Sequence, residues 1–436
     1  MRSRQTVHIA PFLVVAGVLF SGIADALDDF DAPPISYSTA PAVNPVSRLQ
    51  DALDSNAATL AYDPQFGYLK SLLALLNIPQ ESQTLVFSKT SLQVQYISPN
   101  NPRSIYFNDD AYVGRVPGGK LLEISVADPV LGAVFYTLEQ HQVDHPQFIR
   151  QTGNCLQCHG SVLTSGVPGH IVRSVYTNED GYPLLKAGSF VSTDASPWRE
   201  RWGGWYVTGT HGAARHMGNT IAHETDSDVV LDFESGANRA TLDPRVEPAE
   251  YLTPHSDIVA LLVLEHQTRM HNLFTEASFE TRQALARQTA VNEALKRDPA
   301  TPSETTQHII QSIGNKLVDY MLFVGEAPLE APVAGTSGFT TQFPKSGPRD
   351  AKGRSLRDFD LQTRLFQFPL SYLIYSPQFD GLPAEMKDYV YQRLWNILSG
   401  VTFSKEYLHL TKATRQAITE ILVETKPGLP AYYHQQ

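Results

Sequence analysis

Leu122-Glu123-Ile124-Ser125-Val126, followed by Ala133-Val134-Phe135-Tyr136-Thr137-Leu138, is the stretch whose reading decides the fold. The first piece alternates apolar and polar residues with a period of two, and the second is a run of strand-forming side chains. Together they predict neighbouring β-strands. Working upstream, Leu92, Val94 and Tyr96 alternate in the same way, and Asn100-Asn101-Pro102, Asn108-Asp109 and Pro117-Gly118-Gly119 supply turns. Downstream, Ile171 to Tyr176, Ser189 to Ser192 and Trp205 to Thr208 also read as strands.

Outside this region the periodicity is helical. Tyr68, Leu69, Leu72, Leu73, Leu75 and Leu76 form one apolar pattern, stopped by Pro79. A second begins at Ser256 as N-cap and places Val259, Leu262, Val263, His266, Met270 and Leu273 on one face. A third, about Thr305 to Phe323, is expected to pair with it in an antiparallel hairpin. The Pro/Gly-rich connection from Ala327 to Ser355 is long enough to be a wrapping loop or a hinge. Two last helices cover Tyr389 to Leu398 and Ala413 to Val423. The expectation is an α+β chain: a leader at 1–26, a helical lead at 27–82, a β-rich region at 83–248, a helical hairpin at 249–326, the loop at 327–355 and a helical end at 356–436.

Inside the β-rich region lies Cys155-Leu156-Gln157-Cys158-His159, which holds both cysteines of the 436-residue chain. Two thiols at this spacing, with a histidine beside the second, match covalent haem c attachment: the thiols add across the two vinyl groups and the imidazole becomes the proximal iron ligand. A lone disulfide or a redox CxxC pair would explain neither the histidine nor the lack of a βαβ pattern around it.

Haem c is attached outside the cytoplasm, and the N-terminus reads as an export signal. Arg2 and Arg4 precede a mostly apolar run from Ile9 to Ile23, and Ala24-Asp25-Ala26 fits a cleavage site, so the mature chain is expected to start near Leu27 in the periplasm or outside the cell. At 15 residues the apolar run falls short of the roughly 20 that span a bilayer, which disfavours a retained anchor. No transmembrane span is expected in the mature chain. Acidic residues outnumber basic ones 45 to 34, a formal net charge of −11 with no compact Lys/Arg run, which argues against a nucleic-acid partner.

The group opposite His159 would decide between electron carriage and catalysis. The Gly-rich stretch from Gly209 to Asn219 offers His211, His216 and Met217 as distal iron ligands, and Arg215 as a cation for a haem propionate. His266, one helical turn before Met270, is a further candidate ligand. His141, His145 or His170 could instead line an open distal side. Arg103, Arg150 and Arg173 join Arg215 as possible propionate partners. The spacing Glu265-His266-x4-His271 does not match a zinc-protease helix.

The CxxCH box followed by Gly160 resembles c-type cytochromes. That resemblance implies thioether attachment at Cys155 and Cys158, axial ligation by His159 and electron transfer, but not the class I fold, because strands follow the box and Met217 precedes Gly218. A sheet-rich unit with CxxCH near its end is also similar to PAS-like periplasmic haem domains. Ser104-Ile105-Tyr106-Phe107-Asn108-Asp109 and Trp205-Tyr206-Val207-Thr208-Gly209-Thr210-His211-Gly212 look like phrases of large exported mono-haem proteins of environmental bacteria. The expected function is an exported mono-haem c-type cytochrome that exchanges single electrons with a redox partner protein. The alternatives are a haem oxidoreductase acting on peroxide, a nitrogen oxide or a small organic molecule, and a haem-based sensor or binding module.

Overall fold

Antiparallel pairing along the first half of the chain builds one sheet of seven strands. In the computed structural model, which describes residues 30–224 and 229–434, these are β1 (Thr84–Val86), β2 (Arg103–Phe107), β3 (Ala111–Arg115), β4 (Leu121–Asp128), β5 (Gly132–Glu139), β6 (Ile149–Gln151) and β9 (Trp205–Tyr206). β1 to β6 run as a meander, and β9 closes the far edge beside β1. The intervening β7 (Arg173–Val175) and β8 (Ser189–Val191) form a separate pair. The expected leader at 1–26 and its cleavage point lie outside the described residues.

The register Val113↔Ile124↔Tyr136 fixes which side chains share a face. Val113, Leu122, Ile124, Val126, Val134 and Tyr136 point one way and bury against the N-terminal lead, including Leu49 of helix α1 (Pro45–Asp54) and Leu69 and Leu72 of α2 (Leu69–Leu75). Each such aliphatic side chain contributes roughly 1.5–3 kcal/mol on burial. Helix α1 starts where it does because the Asn44 side chain accepts from the amides of Val46 and Ser47.

The opposite face is covered unevenly. At the β1–β3 end Val86, Phe107, Tyr112 and Trp205 pack into the helical core around α4 (Ile258–Ala294). The same face also carries Arg103 and Ile105 of β2, Leu121, Glu123 and Ser125 of β4 and Gln151 of β6, all only half-buried.

Helix α4 runs for 37 residues and pairs with α5 (Glu304–Met321). Ser303 meets Gln288 and Lys316 meets Glu276, so the two run antiparallel. The 327–355 connection crosses the start of α4: Ala334–Gly335 pairs with Gly209–Thr210, and the amides of Thr336 and Ser337 donate to the Asp257 carboxylate. α6 (Ala384–Leu398) and α7 (Lys412–Thr425) complete the helical side. The fold is α+β, with the sheet in the first half and helices in the second. Among the described residues, no helix is long and apolar enough to cross a membrane.

Three local expectations need correction. Leu92 to Tyr96 is a turn, not a strand: the amide side chain of Gln93 turns inward to the backbone of Leu121, leaving Leu92 and Val94 exposed. The cap of α4 is Asp257 rather than Ser256, because the Asp257 carboxylate accepts from Val259 and Ala260 while the Ser256 hydroxyl donates to the Tyr206 carbonyl. The first turns of α4 are buried all round, from Ile258 through Thr268, so no single face is apolar there.

Candidate functional site

One helical turn, α3 (Leu156–His159), follows β6 and carries the Cys-x-x-Cys-His box. The amide of His159 donates to the carbonyl of Cys155 at 3.0 Å, so Cys155, Cys158 and His159 fall at i, i+3 and i+4 on one side of the turn. Gly160 follows in a tight space. A Cβ there would stand 3.0 Å from the Leu156 carbonyl and 3.2 Å from the Phe30 ring. Both thiols are free, Cys155 half-buried and Cys158 exposed.

Burial pushes the Cys155 thiol up to about 11, and the charges of Glu123 and Cys158 push it the same way. At neutral pH this sulfur is a protonated thiol. That is the opposite of the low-pKa thiolate that drives disulfide exchange in redox CxxC pairs.

The His159 ring is held by its inner nitrogen. Nδ1 donates to the Gly169 carbonyl at 2.9 Å, and the ring packs 4.9 Å from Phe135 of β5. A carbonyl only accepts, so the proton sits on Nδ1 and Nε2 keeps its lone pair. Among the described residues nothing hydrogen-bonds to that Nε2. Desolvation lowers the pKa of the ring; the Gly169 hydrogen bond opposes this and Arg103 adds to it.

Whether a flat tetrapyrrole suits this place can be judged from the half-open sheet face beside the motif. Glu123 acts electrostatically on both Cys155 and His159, and Arg103, paired with Glu123 at 2.8 Å, acts on His159. On this face Arg103 Nε and Ser125 Oγ are buried without hydrogen-bond partners, and Gly114 leaves the floor between Arg103 and Glu123 without a side chain. Free thiols, an imidazole with one committed nitrogen, a small-residue floor and an orphaned guanidinium edge together fit haem c. Cys155 and Cys158 would hold it, His159 Nε2 would ligate the iron and Arg103 would meet a propionate.

The other sequence candidates sit elsewhere. His211 and His216 are brought together, Nε2 to Nε2 at 3.1 Å, under Trp198 and Trp202, with His216 Nδ1 accepting from Gly218 and His211 Nε2 from Asn238. Met217 is fully buried beside Ser174 and Gly203. Arg215 pairs with Glu234, Arg173 bonds Ser189, and Arg150 donates to the carbonyls of Tyr37 and Ala40. His141 and His145 are exposed, His141 beside Glu139. Among the described residues, no hydrogen bond or ring contact joins His211, His216, Met217 or His266 to His159.

His170 lies behind the motif instead. Its backbone is clamped by both ends of the Asn272 amide, its ring packs against Tyr112, Phe135 and His271, and both ring nitrogens are buried and unpartnered. Burial, then His271 and His159, depress its pKa far below the usual histidine value.

His266 belongs to an arrangement that the sequence does not announce. Its Nδ1 lies 3.0 Å from Asp194 Oδ2 and its Nε2 2.8 Å from Ser371 Oγ, with Phe323 stacked at 4.2 Å. The order of contacts is that of a nucleophile, base and orienting acid. Ser371 and His266 are both 0% exposed, and Ser371 Oγ also caps the Leu373 amide, so no substrate reaches them. The trio fastens α4 to the β8 loop and to the segment after α5.

Among the described residues, no group of three or more His, Cys, Asp or Glu side chains converges on a bare metal ion. Comparison of the chain with family models, curated proteins and solved structures gives no match.

Proposed function

We propose that this chain is an exported c-type cytochrome carrying one covalent haem at Cys155, Cys158 and His159, and that it passes single electrons to and from a partner protein. The observation that carries the reading is the pairing of the CxxCH turn with the His159 Nδ1 to Gly169 hydrogen bond, which leaves the outer nitrogen as the free donor. In haem proteins a second hydrogen bond of this kind fixes the ligand tautomer and makes the imidazole more electron-rich. The haem would supply a one-electron couple. The chain's part is to hold the imidazole, desolvate it with Phe135 and offset propionate charge with Arg103. The acidic balance of the chain favours a basic redox partner, because opposite charge speeds encounter.

The test is voltammetry on protein exported in a host with haem c maturation. One reversible one-electron wave per chain, abolished in Cys155→Ala/Cys158→Ala, is expected. A wave that survives the double substitution contradicts the proposal.

A further inference from the structure

A second site lies away from the cysteines. A cavity of about 320 Å3 sits where the β2–β3 turn meets the segment after Phe339. That size is within the usual range for small-molecule sites. Its rim is polar and exposed at Asn77, Gln342 and Ser346, while its floor is the buried rings of Phe107, Phe339 and Phe343. Phe107 and Phe339 lie 5.8 Å apart and Phe339 and Phe343 5.3 Å, so the floor is a continuous aromatic surface.

Three charged side chains line this cavity: Asp109, Asp110 and Arg357. Arg357, 4% exposed, pairs with Asp109 and is sandwiched between Phe343 and Tyr372 at 4.7 and 4.4 Å. Asp110 is left over. Its Oδ1 is buried without a partner, and no donor among the described residues reaches its carboxyl group. A buried carboxyl oxygen without a hydrogen-bond donor is costly, and aromatic faces attract cations.

We infer that this cavity binds a small organic ammonium ion, its charged end on Asp110 and its apolar body against Phe107, Phe339 and Phe343. An anionic ligand would face two carboxylates. A neutral apolar one would leave Asp110 unmatched. A bare metal ion would find too few convergent donors. The inference needs only the cavity and does not depend on haem.

Calorimetric titration of the full exported protein at pH 8 tests it, with benzylammonium as probe and benzyl alcohol and benzoate as controls of the same size. Benzylammonium should bind at least tenfold more tightly than benzyl alcohol, and benzoate should give no heat. Asp110→Asn should weaken benzylammonium at least tenfold with the circular dichroism spectrum intact. Gln342→Arg, at the exposed rim, should weaken it without touching the buried floor. Benzoate binding as tightly as benzylammonium, Asp110→Asn binding it unchanged, or no heat from either benzylammonium or hexylammonium at millimolar concentration would overturn the assignment.

Discussion

His159 Nδ1 donates to the Gly169 carbonyl at 2.9 Å, and the side chain of Asn272 holds the next residue by both its amide and its carbonyl. The carbonyl that orients the imidazole is therefore fixed by α4, a helix more than a hundred residues away in sequence. Gly169 has no room for a side chain, since a Cβ would stand 2.4 Å from Asn272 Oδ1. Gly169→Ala should displace the carbonyl, weaken its hold on Nδ1 and, with haem attached as proposed, raise the reduction potential. An unchanged potential in a variant that still takes up haem would show that the contact does not tune the iron.

His211 and His216 hydrogen-bond each other, and Met217 is packed against Gly203. With haem attached as proposed, single substitutions His211→Ala, His216→Ala and Met217→Leu are accordingly expected to leave the absorption bands and ligand-binding behaviour as they are in the parent. A shift from low to high spin in any one of them would identify that residue as an iron ligand.

Removing the His266 ring takes away the hydrogen-bond partner of Asp194 Oδ2 and leaves the buried Ser371 hydroxyl only the Leu373 amide. His266→Ala should lower unfolding stability by about 3–5 kcal/mol, the usual cost of breaking a buried charged network. Ser371→Ala, which deletes one hydroxyl, should cost only about 1 kcal/mol. Chemical denaturation measures both, and equal losses would mean that the trio does not act as a unit.

Burial first, and the neighbouring Asp109 second, raise the Asp110 carboxyl to about 7, while Arg357 and Arg48 pull the other way. A carboxyl whose folded pKa exceeds its unfolded value of 3.8 binds more protons in the native state, so its contribution to stability is lost as pH rises from about 4 through 7. Asp110→Asn should therefore be more stable than the parent at pH 8, by up to roughly 4 kcal/mol from the size of the shift. The two should converge below pH 4. A difference independent of pH would place the carboxylate's cost elsewhere. Ammonium binding at the same residue should strengthen as pH rises through 7.

The α+β architecture is legible in the sequence because period-two alternation in β4 and the helical spacing around Leu72 each report one-sided burial, while the apolar run around Leu262 marks a helix whose first turns are buried on every side. Leu92 to Tyr96 has the same alternation but turns, because Gln93 finds better hydrogen bonds inside than a strand would give it. The cysteine pair and His159 can be picked out of the sequence because the proposed attachment would use contiguous residues. Gly169, Asn272 and Glu123 cannot, because they come from separate parts of the chain that only the fold brings to the motif. Arg103 is one of four arginines that the sequence offers as propionate partners, and only the fold sets it beside the motif. Asp194 and Ser371 are hidden for the same reason, and so is the cavity, whose aromatic floor is shared between β2 and the loop after Gly338.

Intact-mass analysis of the protein exported by a host with haem c maturation, combined with acid–ketone extraction, tests the central claim most directly. One non-extractable haem per chain, held by a single thioether in place of two in either single cysteine variant and lost in the double variant, is the predicted result. A polypeptide mass with nothing added, or a tetrapyrrole that extracts freely, would contradict it.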